Sequence, residues 1–533
     1  MCRFTPMPPF VGAHEVLPGH SKEKSVKNSN TATPKATGLC CSLVAVAATV
    51  LSACAVHPTP LTQDEHAKAA HAGRVEMIAQ QEAINGPITL DEAMARAIHY
   101  NLDSRVKMME EALAQKQLDL ANFDLLPKLT ASAGYTGRDR LLASRSVGLA
   151  SGSTTVPPSY SSDKTDRTYD VGFAWNLLDF GVSYYEAKES ADHVLMLEQR
   201  RRKVIELMMQ QVREAYWQAA GAQRLHDQIE PLLQQARSAL DDSRQAQREQ
   251  LRTPLEALGY QRELLEIMRQ LEVVRGHLSE AKPRLASLMD LEPGTDFTLS
   301  PAEGFALPDF QMPVDQMEET ALERRPDLLE AHYNERISVD EAHKALLKLL
   351  PGIELSAGTH YDSNSFLSYS TWQDAGVRAS WNLMSLLNVK NIRRTSDAQL
   401  AVAHEQRLAL TMAVLTQVHV ARSDLDAKRH EFELMRQLNE VDQQIHQHMH
   451  NAEQANAEGK LQEIRAAADA MIAELRVYET YGELQSAYGN LLATLGLDPV
   501  PDSVKGRDLA SLEQSIAQER QRWAELGGAG GTN

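Results

Sequence analysis

The strongest constraint on the fold is that the chain repeats itself. Leu125-Leu126-Pro127-Lys128-Leu129-Thr130-Ala131-Ser132-Ala133-Gly134 recurs as Leu349-Leu350-Pro351-Gly352-Ile353-Glu354-Leu355-Ser356-Ala357-Gly358, an offset of 224. Further on, Trp175-Asn176-Leu177 recurs as Trp381-Asn382-Leu383, an offset of 206. The same 206 pairs Gln211-Val212 with Gln417-Val418, Leu285 with Leu491, Leu291 with Leu497 and Pro293 with Pro499. A constant offset over that distance requires long elements of equal length in both halves. The fall from 224 to 206 puts 18 extra residues in the first half, around Arg138–Thr168. That stretch is rich in Ser, Gly and Thr and contains Pro157-Pro158, so it reads as a loop.

Each half is expected to run helix, strand, loop, strand, long helical hairpin. Thr89 with Glu92 reads as a capping box, and Asp315 with Glu318 as its counterpart. Pro127 and Pro351 stop the short helices. Four segments alternate apolar and polar residues: Leu129–Thr136, Asp170–Leu177, Ile353–Tyr361 and Val377–Leu383. One face of the second carries Val171, Phe173, Trp175 and Leu177; the other carries Asp170, Gly172, Ala174 and Asn176. Their length approaches the ~9–11 residues that a tilted strand needs to cross a bilayer. Membrane barrels alternate lipid-facing and lumen-facing residues in this way. The competing reading is a soluble half-buried sheet. Four strands cannot enclose a water-filled pore, and open edges in lipid leave backbone groups unpaired, so a membrane barrel built from them must close by oligomerisation.

The long helices carry apolar seams. Met208, Val212, Ala215, Ala219, Ala222, His226, Ile229, Leu233, Ala236 and Leu240 alternate steps of four and three, a coiled-coil pattern. Leu264 to Leu288 forms the returning seam, and Val414 to Met435 with Leu461 to Tyr478 the second pair. The hairpins reverse near Leu251–Glu256 and Gly459–Gln462. A plain soluble coiled coil would leave the strands unexplained.

The N-terminal region reads as an address. Lys22, Lys24, Lys27 and Lys35 precede an apolar run from Leu39 to Leu51, which ends Leu51-Ser52-Ala53-Cys54. That ending resembles the bacterial lipobox, which makes Cys54 the expected lipidation site; in the competing reading Cys54 is an incidental residue near a plain cleavage point. Ala55 after it resembles an outer-membrane sorting signal. A later translation start, at Val26 if its codon is GTG, would shorten the leader. The cysteines are Cys2, Cys40, Cys41 and Cys54, so nothing after Cys54 can form a disulfide or thiolate site. Formal net charge is −18, which argues against nucleic acid as a partner. No apolar run of 18 residues follows the N-terminal region.

A duplicated unit of this kind resembles the TolC-like outer membrane efflux protein family, in its lipoprotein branch. The carrying residues are Ile88-Thr89-Leu90-Asp91-Glu92-Ala93 with Asn101, Leu126-Pro127, Trp175 to Gly181 and Arg325-Pro326-Asp327-Leu328. Thr253-Pro254-Leu255-Glu256-Ala257-Leu258 looks like the turn that docks on periplasmic adaptors, with Gln250 where the family has glycine. The resemblance covers residues 87–500. It implies a mainly α tandem-repeat subunit with a small transmembrane β part. Three subunits would form a 12-stranded β-barrel joined to a long periplasmic α-helical barrel. It implies a homotrimer in the outer-membrane lipid, a periplasmic adaptor (membrane fusion) protein and an inner-membrane pump. The expected divisions are a lipoprotein signal peptide at 1–53, a lipid-linked segment at 54–86, repeats at 87–300 and 301–500, and a C-terminal tail at 501–533, whose Gly527–Gly531 run reads as disordered.

The expected function is an outer-membrane exit duct of a tripartite efflux or type I secretion system, passing drugs, metals or other small molecules; the alternatives are a periplasmic adaptor or a structural coiled-coil lipoprotein. No Walker A run and no His-Glu-x-x-His motif occurs, so neither nucleotide nor zinc chemistry is expected, nor any enzyme or cofactor. The candidate docking turns are Thr253, Pro254 and Leu255, and Gly459, Lys460 and Leu461. The candidate pore aperture is Glu453, Glu458 and Glu463, acidic rings in a trimer or ordinary solvated charges. His446 and His450 are spaced to share a metal, or form a solvated helix face.

Overall fold

The computed structural model describes residues 59–79, 81–145, 147, 149–150, 152, 157–251, 253–300, 305, 307, 310–455, 459–497 and 508–528. The leader and Cys54 lie outside them. The chain divides into two compact units, Met1–Met77 and Ile78–Asn533. In the first unit, most of helix α1 (Gln63–Ile78) is solvated, with an ion pair from Lys68 to Asp64.

The second unit holds both repeats. The first has α2 (Leu90–Tyr100), α3 (Leu102–Phe123), β1 (Lys128–Gly137), a short β2–β3 ribbon (Ala143–Ser144, Ser159–Tyr160), β4 (Thr165–Asn176), α4 (Leu177–Arg248) and α5 (Pro254–Leu288). The second has α6 (Val314–Arg324), α7 (Pro326–Leu347), β5 (Gly352–Asp362), β6 (Thr371–Ser380), a 3₁₀ turn (Leu383–Asn388), α8 (Val389–Gln454) and α9 (Lys460–Thr494). The duplication extends to element length. α2 and α6 have 11 residues, α3 and α7 have 22, and α5 and α9 have 35. The 72-residue α4 is matched by the six-residue 3₁₀ turn followed by the 66-residue α8. At 1.5 Å per residue α4 is roughly 100 Å long. Among the described residues, the extra stretch of the first half holds the β2–β3 ribbon.

Several expectations are corrected. The single short helix of each half is a pair, because Asn101 ends α2 and caps α3, while Arg325-Pro326 makes the equivalent break. The Thr89 hydroxyl accepts from the Glu92 amide as expected. The Glu92 carboxylate turns instead to Arg96, a fully buried guanidinium that also donates to the Glu82 carbonyl. Helix α6 starts after Pro313 without a side-chain cap, and Glu318 pairs with His419 at 2.7 Å, so Asp315 and Glu318 form no capping box. The fourth strand lies earlier than expected. Trp381 donates its indole N–H to the Leu349 carbonyl and Asn382 caps the 3₁₀ turn, so the chain leaves the sheet at Ser380. In the α4 seam, His226 is exposed and Leu225 takes its place in the core. Residues 509–528, expected within a tail, form α10. It buries Leu509, Leu512 and Ile516, and Arg520 pairs with Asp91 of α2.

The remaining seam residues pack as the heptads require. α9 is the most enclosed of the four long hairpin helices, with α4, α5 and α8 packed against it, and its many alanines permit close approach. At Gly221 of α4, a Cβ would lie 2.6 Å from the Cβ of Tyr478 on α9. Trp217 packs against both hydrophobic cores, its ring edge-on to Tyr481 at 4.6 Å. Ion pairs from Lys188 to Asp340 and from Arg336 to Asp192 bind α4 to α7.

The sheet order is β1-β4-β5-β6, all antiparallel. Within the sheet the two repeats are joined by the β4–β5 ladder. Among the described residues, β1 and β6 each have one paired edge and one open edge. No described helix is long and apolar enough to cross a membrane.

Candidate functional site

Strand register sorts the sheet into two faces, because residues directly opposite in a ladder share a side. Leu129, Phe173, Ala357 and Ala375 form one row of the apolar face; Trp175, Leu355 and Val377 form another. The outer strands leave this face open, with Leu129 75% exposed and Val377 74%, while Phe180 packs against Trp175 near the helical end. The other face carries the row Ser132, Asp170, His360 and Trp372. There Asp170 accepts from Ser132 at 2.9 Å, and its second oxygen lies 2.7 Å from His360 Nδ1. His360 Nε2 faces Asp374 at 3.3 Å, and the imidazole stacks on Trp372 at 5.3 Å. Sequence patterning missed this cluster, because it started the fourth strand at Val377, beyond Trp372 and Asp374. The signal that could have found it is the 206 offset, which aligns Thr165, the first residue of β4, with Thr371, the first of β6, and so carries the strand back past Trp372 and Asp374.

The far ends of the hairpins come next. Helix α4 ends in a Schellman arrangement: the Leu251 amide donates to the Ala246 carbonyl and the Gln250 amide to Gln247. Gln250 takes the left-handed conformation with φ 58°, the conformation that glycine would adopt without a Cβ penalty. Thr253 and Glu256 then close a full capping box, with Pro254 in the first turn of α5. Leu255 projects outward, 82% exposed, flanked by exposed Leu251 and Leu258. The described residues of this turn present exposed apolar side chains.

The second turn differs. Gly459 precedes α9 without a side-chain cap and Lys460 is exposed, but Leu461 is buried in the core. Glu453 is half-buried and Glu458 lies outside the described residues. Glu463 is buried, facing His450 Nδ1 at 3.4 Å and His446 Nε2 at 4.0 Å. It points into the gap between α8 and α9, beside a cleft of about 900 Å³ that Gln228 and Gln235 of α4 also line. The structure thus brings Glu463 together with both histidines as a tie between two helices. Among the described residues no group of three or more acidic, histidine or cysteine side chains could hold a metal.

The comparisons fit this architecture. Residues 96–290 match the family model described as outer membrane efflux protein. No curated protein matches the chain. The outer-membrane channel OprN is 18% identical, with a TM-score of 0.57 over 76% of this chain and 89% of that one. The Campylobacter jejuni CmeC outer membrane channel is 11% identical, with a TM-score of 0.61 over 83% of this chain and 94% of that one. The open state of the Neisseria gonorrhoeae MtrE outer membrane channel is 15% identical, with a TM-score of 0.57 over 76% and 88%. All three are outer-membrane channels. In its first repeat the chain matches the outer membrane efflux protein family, and across both repeats it has the fold of solved outer-membrane channels.

Proposed function

We propose that three copies of this chain close into an outer-membrane duct, the exit of a tripartite efflux or type I secretion system. The observation that carries the reading is the four-stranded sheet, apolar on one face, polar on the other and unpaired at both edges. A sheet edge in hydrocarbon leaves amides and carbonyls unbonded at several kcal/mol each, and joining β6 of one copy to β1 of the next removes every edge. The helices support the same closure. α8 leaves Leu434, Leu438, Val441 and Ile445 exposed at steps of four, three and four, a heptad pattern open to solvent among the described residues.

In this reading the apolar face meets lipid, the long hairpins extend through the periplasm, and Cys54 carries the lipid anchor. Residues 87–300 and 301–500 are the two repeats of the duct wall. The apolar turn at Leu255 is the surface offered to an adaptor, and a pump in the inner membrane supplies the energy. Passage is passive, and cargo such as drugs, metals or other small molecules follows from the pump.

The test is purification of the mature chain in detergent, followed by unheated electrophoresis and planar-bilayer recording. The expected result is a heat-modifiable trimer that conducts ions steadily. A water-soluble monomer with no conductance would overturn the proposal. An adaptor or a soluble coiled-coil lipoprotein would give that second result.

A further inference from the structure

A single charged side chain, Arg167, stands on the apolar face of the sheet, at the end far from the helices. We infer that Arg167 and the tyrosines around it bind the phosphorylated sugar headgroup of an outer-leaflet glycolipid, one site per subunit. The inference rests on the trimeric duct proposed above and specifies how the outside of its wall meets the membrane.

The argument starts from register. Arg167 of β4 lies directly opposite Tyr135 of β1, and the next row inward sets Ala133, Tyr169 and Tyr361 side by side. The carboxylates nearest in sequence and across the ladder, Asp166 and Asp362, stand on the opposite face. They are engaged there by the Ser363 hydroxyl at 2.9 Å and the Asn364 amide at 2.7 Å. Arg167 is exposed, and among the described residues its guanidinium has neither a hydrogen bond nor an ion pair. The hydroxyls of Tyr135, Tyr169 and Tyr361 likewise make no hydrogen bond to a described residue. A lone guanidinium on a lipid-facing wall is costly at the middle of the bilayer and cheap at its boundary, where it reaches headgroup phosphates. Its planar fork matches two phosphate oxygens at once.

The position is fixed by backbone. The Arg167 amide donates to the Ser363 hydroxyl at 2.8 Å, and its carbonyl accepts from the Ser363 amide at 3.0 Å. Both groups therefore point toward β5, which makes Arg167 and Tyr135 a non-hydrogen-bonded pair, the ladder position where opposed side chains come closest. The Tyr135 ring leans outward, its Cε1 lying 3.6 Å from the place a Cβ on Gly137 would take. The Tyr169 and Tyr361 rings lie 5.6 Å apart, tilted by 32°. Tyr135 is 68% exposed and Tyr169 51%. Rings of this kind, apolar in body and polar at the tip, suit the membrane boundary. Here they offer flat faces to a sugar ring and hydroxyls to its oxygens, beside a cation for its phosphate. A phospholipid has the phosphate but no ring to cover the tyrosines, so the combination selects a glycolipid. Because β4 is an inner strand, closure through β1 and β6 leaves Arg167 and Tyr169 facing lipid.

The experiment titrates the delipidated, detergent-solubilised trimer of the mature protein with bisphosphorylated lipid A and counts lipid adducts by native mass spectrometry. Dephosphorylated lipid A, phosphatidylglycerol and inorganic phosphate are the comparison probes. The parent should hold up to one lipid A per subunit and bind the dephosphorylated form and phosphatidylglycerol roughly tenfold more weakly, the scale of one charge-assisted hydrogen bond. Inorganic phosphate should not displace lipid A. Arg167→Gln should weaken lipid A binding by a similar factor, and Arg167→Lys by less. Tyr169→Leu should weaken lipid A and leave phosphatidylglycerol unchanged. Arg140→Gln, which removes a cation of the exit loop already beside Asp139, should change nothing. Equal lipid A binding by the parent and Arg167→Gln overturns the inference and leaves the duct standing. So does a parent that binds the dephosphorylated form or phosphatidylglycerol as tightly as lipid A, or that releases lipid A to inorganic phosphate. A parent that forms no trimer overturns the duct itself and the inference with it. If Arg167→Gln does not assemble, Arg167→Lys and the parent's ranking of the probes decide.

Discussion

Tyr216 illustrates how one buried side chain holds the first repeat together. Its ring is enclosed by the core, and its hydroxyl donates to the Ile88 carbonyl at 3.1 Å, fixing the entry to α2. Burial, with Asp91 and Glu92 nearby, pushes the phenol up to about 12 from its ordinary 10. The sign follows directly. The neutral phenol is favoured by the folded state, so its contribution is complete below pH 10 and is lost as pH rises toward 12. Tyr216→Phe keeps the ring and removes the hydroxyl. At pH 8 the variant should be less stable by about 1 kcal/mol, the worth of a typical hydrogen bond. Between pH 10 and 12 the parent should lose stability that the variant does not, so the gap narrows. Thermal melts of both proteins across that range check it; a gap independent of pH would refute the assignment.

At the level of elements, close helix contact and helix propensity oppose each other, and two glycines separate them. Gly221 sits where α4 crosses α9, and a Cβ there would overlap Tyr478. Gly259, in α5, has open space around it. Alanine is the better helix former by about 1 kcal/mol, so Gly259→Ala should raise stability by about that amount. Gly221→Ala gains the same propensity but must displace Tyr478 from a packed core, and overpacking costs about 1–3 kcal/mol. The two variants should therefore shift the melting temperature in opposite directions. A rise in both would mean that the α4–α9 crossing is looser than described. The same tension acts at helix ends, where the 206 offset aligns Asp290 with Gly496. Both are left-handed, at φ 51° and 68°, and both close Schellman arrangements through Leu291 and Leu497. Only the second is pressed against the Arg324 backbone, where a Cβ would clash, and only the second is glycine.

For the whole molecule the decisive feature is incompleteness. The sheet has two open edges and α8 an uncovered apolar seam. If that seam seats against a second copy, charges placed on it should disrupt assembly without unfolding the chain. Leu438→Glu combined with Val441→Glu should preserve helical circular dichroism and eliminate the unheated trimer band. Trimers at parent abundance would show that α8 faces solvent or lumen.

Much of this was legible in the amino-acid order. The duplication, the alternating strands, the paired seams and the Thr253 turn are local patterns, written by periods of two and seven and by turn chemistry, and most appear where expected. Apart from the helix breaks at Asn101 and Arg325-Pro326, which are local, the misplaced features depended on partners distant in sequence. Leu225 and His226 satisfy the seam almost equally, and only the neighbouring helices decide which is buried. Val377 begins an acceptable strand by itself; the register with β5 adds Trp372 and Asp374, and the hydrogen bond from Trp381 to Leu349 ends it. Glu463 reads as a surface charge until α8 brings His446 and His450 against it. The joining of the repeats through β4 and β5 and the docking of α10 on α2 also came from tertiary structure, because periodicity specifies which face an element buries but not what it is buried against.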